Sequence, residues 1–315
     1  MTASLAPPWR VWTERGIAVL WIAVVVWAFA TAWGGIIHSH PAYAVLLILS
    51  AVAALAVLIR SLTWQRRTAR HGCRRVFRIT GAVLAIGWAG LLIWLKPFTA
   101  IEPALDAMDS DAAVTVTETA TSVTMVPTEQ ATDTGVLFQP GALVDPRAYA
   151  AHLRPLAEAG HTVVVTKQPL GIAFLNTRAL DGARAAHAGL TTWAVGGHSL
   201  GGVVASMEAN GSTDAQGADG LLLFASYPAN DMSSSLTAAV ESISGTDDGL
   251  STPDAIELSR GNLPASAHFT VIDGASHSQF GDYGPQPGDG VATISDDDAR
   301  SQISSAALAF VDSLG

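Results

Sequence analysis

Three charge-free apolar runs fill most of the first hundred residues, and nothing constrains the chain more. Gly16 to Ile37 is 22 residues long, Ala42 to Ile59 is 18 and Ile79 to Leu95 is 17. A bilayer core of about 30 Å takes roughly 20 apolar residues as helix, so each run has the length to span. The competing reading of the first run is a cleaved signal peptide. Its apolar stretch is longer than a signal core, and the nearest small-x-small site, Ala42-Tyr43-Ala44, runs straight into the next run. Trp88 and Trp94 suit an interfacial position for the third, shortest run. His38 and His40 lie between the first two runs; two histidines without a third ligand read as a polar turn rather than a metal site.

The charges divide at the same place. Up to Leu95 there are nine arginines and one acid, Glu14; beyond Lys96 there are seven basic residues against 26 acidic ones. Arg60, Arg66, Arg67, Arg70, Arg74, Arg75 and Arg78 lie between the second and third runs with no acid among them. Positive loops stay cytoplasmic, so this loop and the N-terminus are expected inside and the remainder of the chain outside. The acidic remainder excludes nucleic acid as a partner, because its field repels phosphate. The expected partners are the lipid bilayer, through the three runs, and a small molecule. No feature specifies an oligomer. The one cysteine, Cys73, rules out an intrachain disulfide.

The expected organisation is a membrane section over residues 1–97 (helices at about 16–37, 42–59 and 79–95), an acidic connector over 98–112, and a globular domain over 113–315. In that domain VTVTET and TSVTMV alternate β-branched and polar residues, as an antiparallel hairpin does. From Gly135 short apolar runs (GVLFQ, TVVVTK, TWAVGGH, GLLLFAS, AVESIS, HFTVID) are separated by helical stretches. That alternation predicts an α/β fold, a mostly parallel sheet with helices on both faces. Asp145-Pro146 reads as a helix start and Gly160 as its stop, with Pro155 expected to kink it. The tail puts acids in a first turn and an apolar stripe at Ile303, Ala307, Phe310 and Leu314.

Gly197-His198-Ser199-Leu200-Gly201-Gly202 follows an apolar strand and opens a helical run. A serine on a strand–turn–helix elbow is pushed out of the sheet, and small residues two before and two after avoid collision with strand and helix. Such a serine needs a base, which in this arrangement follows it in the chain. Of the two later histidines, His268 opens a strand and reads as structural. His277 lies in the loop after that strand and is the expected base. The carboxylate that orients it is expected after AVESIS, at Asp248 with Asp247 its rival; Asp254 reads as a first-turn helix acid. Two backbone donors should face the oxyanion: the amide of Leu200, and one from Pro140-Gly141-Ala142, with Ala142 favoured. No metal or organic cofactor is called for.

FQPGALVDPRAYA, VVVTKQPLGIAFLN, WAVGGHSLGG, SGTDDGL and SHSQFGDYG together resemble the bacterial small α/β-hydrolase family related to dienelactone hydrolases and carboxylesterases. The resemblance runs from about Val114 to Leu314. It implies an α/β-hydrolase fold, a Ser199–Asp248–His277 triad, and Ala142 and Leu200 as oxyanion donors; the short stretch between GLLLFAS and AVESIS leaves too few residues for a cap domain. Two features depart from it: serine stands where dienelactone hydrolases carry cysteine, and the apolar N-terminal section lies outside the shared domain. The resulting expectation is a membrane-anchored serine hydrolase of short-acyl carboxylic esters. The alternatives are an acyltransferase acting on envelope alcohols and a non-catalytic tethered binding protein.

Overall fold

In the computed structural model, which describes residues 8–63, 73–211 and 216–315, the three apolar runs lie on helices α1 (Pro8–His38), α2 (Ala42–Thr63) and α3 (Cys73–Trp94). Val11–His38 and Ala42–Thr63 are long and apolar enough to cross a membrane; the apolar part of α3, Ile79–Trp94, is shorter. Large apolar side chains such as Val26, Trp33, Leu49 and Leu84 stay exposed on these helices. Polar groups find partners on neighbouring helices. The Trp21 indole donates to the Ala85 carbonyl at 2.8 Å and the Tyr43 hydroxyl to the Leu92 carbonyl at 2.6 Å. The Trp88 indole N–H donates to the Ser50 hydroxyl on α2 at 2.9 Å. An indole donor in apolar surroundings needs an acceptor, and Ser50 supplies it. Arg66, Arg67 and Arg70 of the basic loop lie outside the described residues.

Apart from the turn at 38–40, the helical section up to Lys96 is one compact unit and the chain from Pro97 to Gly315 another. In the second unit β1 (Val114–Glu118) and β2 (Ser122–Pro127) form the expected antiparallel hairpin. Six strands follow: β3 (Thr134–Gln139), β4 (Thr162–Thr166), β5 (Thr192–His198), β6 (Gly220–Phe224), β7 (Ala239–Gly245) and β8 (His268–Ile272). They join the hairpin in one sheet of order β1-β2-β4-β3-β5-β6-β7-β8. The β2–β4 pair is antiparallel and every pair from β4 to β8 is parallel.

Parallel strands covered on both faces read as continuous apolar runs, and here alternate residues of one strand feed two different cores. Val136, Phe138, Leu222 and Phe224 pack with α4 (Ala150–Glu158) and α8 (Asp296–Asp312). Leu137, Val195, Leu221 and Leu223 pack with α5 (Ala179–Ala186) and α6 (Leu200–Asn210). A short α7 (Pro253–Ser259) follows β7. Asp145 accepts from the Arg147 amide and opens a 3-10 turn, Pro146–Tyr149, that leads into α4; the helix continues through Pro155, and Gly160 follows it at φ +104°. Ser295 caps α8, whose Ile303, Ala307 and Phe310 are buried as the stripe requires.

The stretch 98–112 is built into the globular unit. The Phe98 amide donates to the Leu143 carbonyl, Asp145 N–H to the Phe98 carbonyl, and Ile101 N–H to the Asp282 carbonyl, at 2.8, 2.9 and 2.9 Å. The Phe98 ring lies 5.9 Å from that of Tyr283.

Leu153 on α4 has no exposed surface. Leu153→Ala should destabilise the globular unit by about 2–5 kcal/mol through lost burial and the cavity left behind, read as a lowered midpoint in chemical denaturation of the detergent-solubilised protein.

Candidate active site

Strand β5 runs between β3 and β6, and its C-terminal end carries the serine. Ser199 adopts φ 51°, ψ −122°, between the end of β5 and the start of α6. A non-glycine residue there is strained and persists only where its surroundings over-determine it. They do so here: the Ser199 amide donates to the Phe224 carbonyl at 3.1 Å, and its own carbonyl accepts from Gly202 N–H at 3.0 Å and the Ser226 hydroxyl at 2.7 Å. Gly201 has no room for a side chain, since a Cβ would overlap the carbonyl oxygens of Gln139 and Pro140. The same closeness sets the first turn of α6 against the loop that leaves β3.

The loops after β7 and β8 bring the other two predicted side chains together. His277 Nδ1 lies 2.8 Å from Asp248 Oδ2, both side chains fully buried. Asp248 Oδ1 accepts the amides of Leu250 and Ser251 at 2.8 and 2.7 Å. A carboxylate so placed accepts a hydrogen bond from the Nδ1–H of the imidazole, the tautomer that leaves Nε2 as an acceptor. That Nε2 is buried and has no hydrogen-bond partner among the described residues, so the Ser199–His277 bond is not formed. Such bonds are often long before substrate binds. The rival carboxylate, Asp247, accepts from the Thr293 hydroxyl at 2.7 Å instead. His268 is exposed and pairs with Glu241 on β7 at 2.7 Å, as a structural residue would. Asp254 sits in the first turn of α7, which Thr252 caps.

Ala142, Ser199 and Leu200 retain partial exposure, while Pro140, Gly141, Leu143, His198 and Gly201 around them are buried. The amide of Leu200 opens α6, where the helix offers no acceptor. In the loop after β3 the Gly141 amide donates to the Tyr149 hydroxyl, Leu143 N–H to the Gly171 carbonyl and Val144 N–H to the Gly141 carbonyl. Among the described residues the amides of Ala142 and Leu200 have no acceptor. Beneath the loop, Gln168 donates to the Pro140 carbonyl and to Gln139 Oε1, and Gln139 donates to the buried Glu208, whose carboxyl burial pushes above its ordinary range.

Two further residues stand at the site: His198, part of the elbow motif, and Asp289, which carries no sequence signal of its own. His198 lies next to the serine, with its ring centroid 4.5 Å from that of His277. Burial first, and then the neighbouring His277, push its imidazole well below its usual range and hold it neutral. Asp289, in the loop after Tyr283, clamps both loops: its Oδ1 accepts the amides of His277 and Gly249 at 3.0 and 3.2 Å, and its Oδ2 that of Ser278 at 2.8 Å. Only the fold brings that acid, 12 residues beyond His277, back to it.

The matched family model, described as the alpha/beta hydrolase family, spans residues 135–301. The chain belongs to the alpha/beta hydrolase family. No curated protein matches it. Among solved structures it is similar to a thermophilic esterase of the Planctomycetes species Thermogutta terrifontis, at 14% identity over 65% of this chain and 92% of that one with a TM-score of 0.46. The esterase domain of a Rhodothermus marinus protein gives 13% identity, 62% and 93% coverage, and a TM-score of 0.49. A putative dienelactone hydrolase from Klebsiella pneumoniae gives 15%, 64% and 99%, and 0.45.

Burial alone would raise the Asp289 carboxyl, but the hydrogen bonds from Ser278, His277 and Gly249 outweigh it and hold it below its ordinary value of 3.8. A depressed folded value stabilises the protein above the unfolded value, and that stability is lost as pH falls through the folded one. Asp289→Asn should therefore lower the melting temperature at pH 7. The gap to wild type should close as the pH falls below 3.8, measured by thermal melts across pH.

Proposed function

We propose that this protein is a membrane-anchored serine hydrolase that cleaves carboxylic esters, with Ser199 as nucleophile, His277 as base and Asp248 as its orienting acid. The observation that carries the reading is the coincidence of a strained, partly exposed Ser199 with a buried His277–Asp248 pair whose Nε2 is unpartnered. Two amides without an acceptor among the described residues, those of Ala142 and Leu200, are available for the oxyanion. Ser199 Oγ attacks the ester carbonyl and His277 Nε2 takes its proton. Asp248 stabilises the imidazolium, and the tetrahedral oxygen is held by the two amides. His277 then passes the proton to the leaving alcohol, and a water activated at the same Nε2 releases the acid and frees Ser199. A neutral His198 beside His277 places no second positive charge against the imidazolium.

Residues 225–238 connect β6 to β7 without helix or strand, so no cap is inserted where many such sites are covered. An open site favours short acyl groups. The exposed apolar side chains of α1 and α2, each long and apolar enough to cross a membrane, support anchoring in a bilayer, with the shorter apolar part of α3 as the third span of this reading. The arginine-rich stretch between the second and third runs supports a cytoplasmic loop there and an extracytoplasmic catalytic domain.

A membrane-impermeant fluorophosphonate should label intact cells expressing wild-type protein and fail to label Ser199→Ala. Labelling confined to lysates would reverse the topology. Absence of labelling on folded protein would turn the reading towards a non-catalytic binding protein. On purified protein, acetate and butyrate esters should give kcat/KM values at least about tenfold above those of long-chain esters, since a site without a cap offers little apolar wall to repay a longer chain. The opposite order would overturn the short-acyl assignment.

A further inference from the structure

Tyr149 has no part in the triad, yet its hydroxyl stands between the two halves of the site. The residue ends the 3-10 turn before α4 and is fully buried. Its ring packs on Phe138 of β3, with centroids 5.0 Å apart. Its oxygen accepts the Gly141 amide at 2.8 Å and lies 2.9 Å from His198 Nδ1. The phenol has one proton; given to Nδ1 it is paired, whereas a proton on Nδ1 would leave the buried phenol O–H without an acceptor among the described residues. The chain of donors therefore runs Gly141 N–H to Tyr149 O–H to His198 Nδ1, from the loop after β3 to the residue before Ser199. Gly141 is pressed against the same imidazole: a Cβ there would lie 2.7 Å from His198 Nδ1.

This accounts for the loop's amides. The Gly141 amide is committed to Tyr149 and the Leu143 amide to Gly171, while the Gly141 carbonyl takes the Val144 amide. Among the described residues the Ala142 amide is the one in this loop left without an acceptor, at the position where the loop meets solvent.

We infer that Tyr149 is a positioning residue for the oxyanion hole: by tying the Gly141 amide to His198 it fixes the loop in the one arrangement that presents the Ala142 amide. The inference rests on the hydrolase reading above. A donor aimed at the tetrahedral oxygen acts on the transition state more than on bound substrate. Loosening it lowers kcat and leaves KM nearly unchanged.

The test uses the full-length protein in detergent with Tyr149→Phe, which keeps the ring and removes only the oxygen. Expected are a fall in kcat of about tenfold or more on a short ester, from the weakened oxyanion contact, with KM moved by less than about twofold. Affinity for a boronic acid, which forms a tetrahedral adduct on serine, should fall in proportion to kcat/KM. Faster hydrogen exchange at the Gly141 amide should accompany both. A folded variant with a lower melting temperature but wild-type kcat and boronate affinity would overturn the inference and leave the hydrolase reading standing. A wild-type protein that neither labels at Ser199 nor cleaves any ester would overturn both. Should Tyr149→Phe not fold, 3-fluorotyrosine at 149 keeps the bond while weakening the acceptor, and the same split between kcat and KM decides.

Discussion

The backbone of Ser199 is the constraint around which the globular unit is arranged. A residue at φ 51° is held there by the Phe224 carbonyl of β6, by the Ser226 hydroxyl and by the first turn of α6. Each of those contacts needs β5 to lie in the interior of the sheet, with β3 on one side and β6 on the other. Gly201 follows from the same closeness, because α6 approaches the end of β3 too nearly for any side chain there. Strain at one residue is thus maintained by the packing of three strands and a helix, a cost of order 1–3 kcal/mol met by a core that buries both faces of the sheet.

The polar groups around the elbow form three linked sets. Asp248, His277 and Asp289 tie the loops after β7 and β8 to each other. Gly141, Tyr149 and His198 tie the loop after β3 to β5. Gln139, Gln168 and Glu208 support that loop from beneath. A buried donor or acceptor left unpaired costs more than a made bond returns. Against that rule His277 Nε2, like His198 Nε2 next to it and a few buried atoms elsewhere, has no partner among the described residues, and the partly exposed Ala142 and Leu200 amides have no acceptor there. Unsatisfied groups gathered beside a strained serine are what a site that completes its hydrogen bonds on substrate would show.

The helical section follows a different rule. Its helices leave large apolar side chains exposed, and their indole and phenol groups bond backbone carbonyls or a serine on the next helix. An indole N–H in apolar surroundings seeks a polar partner, and Ser50 on α2 provides one for Trp88. The acidic, irregular stretch after α3 bonds Leu143 and Asp145 through the backbone of Phe98.

What the sequence by itself determined was whatever depends on local pattern: the apolar runs, the alternating strands and helices, the glycine-flanked Ser199 on its elbow, and the order serine, acid, histidine. Asp248 was separable from Asp247 only as the residue before a glycine. The tertiary structure distinguishes them by aiming one carboxylate at His277 and the other at Thr293. Asp289 and Tyr149 were illegible, because a hydrogen bond between a side chain and a distant amide leaves no periodicity or spacing in the chain. Local elements follow from the chemistry of neighbouring residues. Which buried donor meets which acceptor is decided only when the strands set their register and bring separate loops to one edge of the sheet.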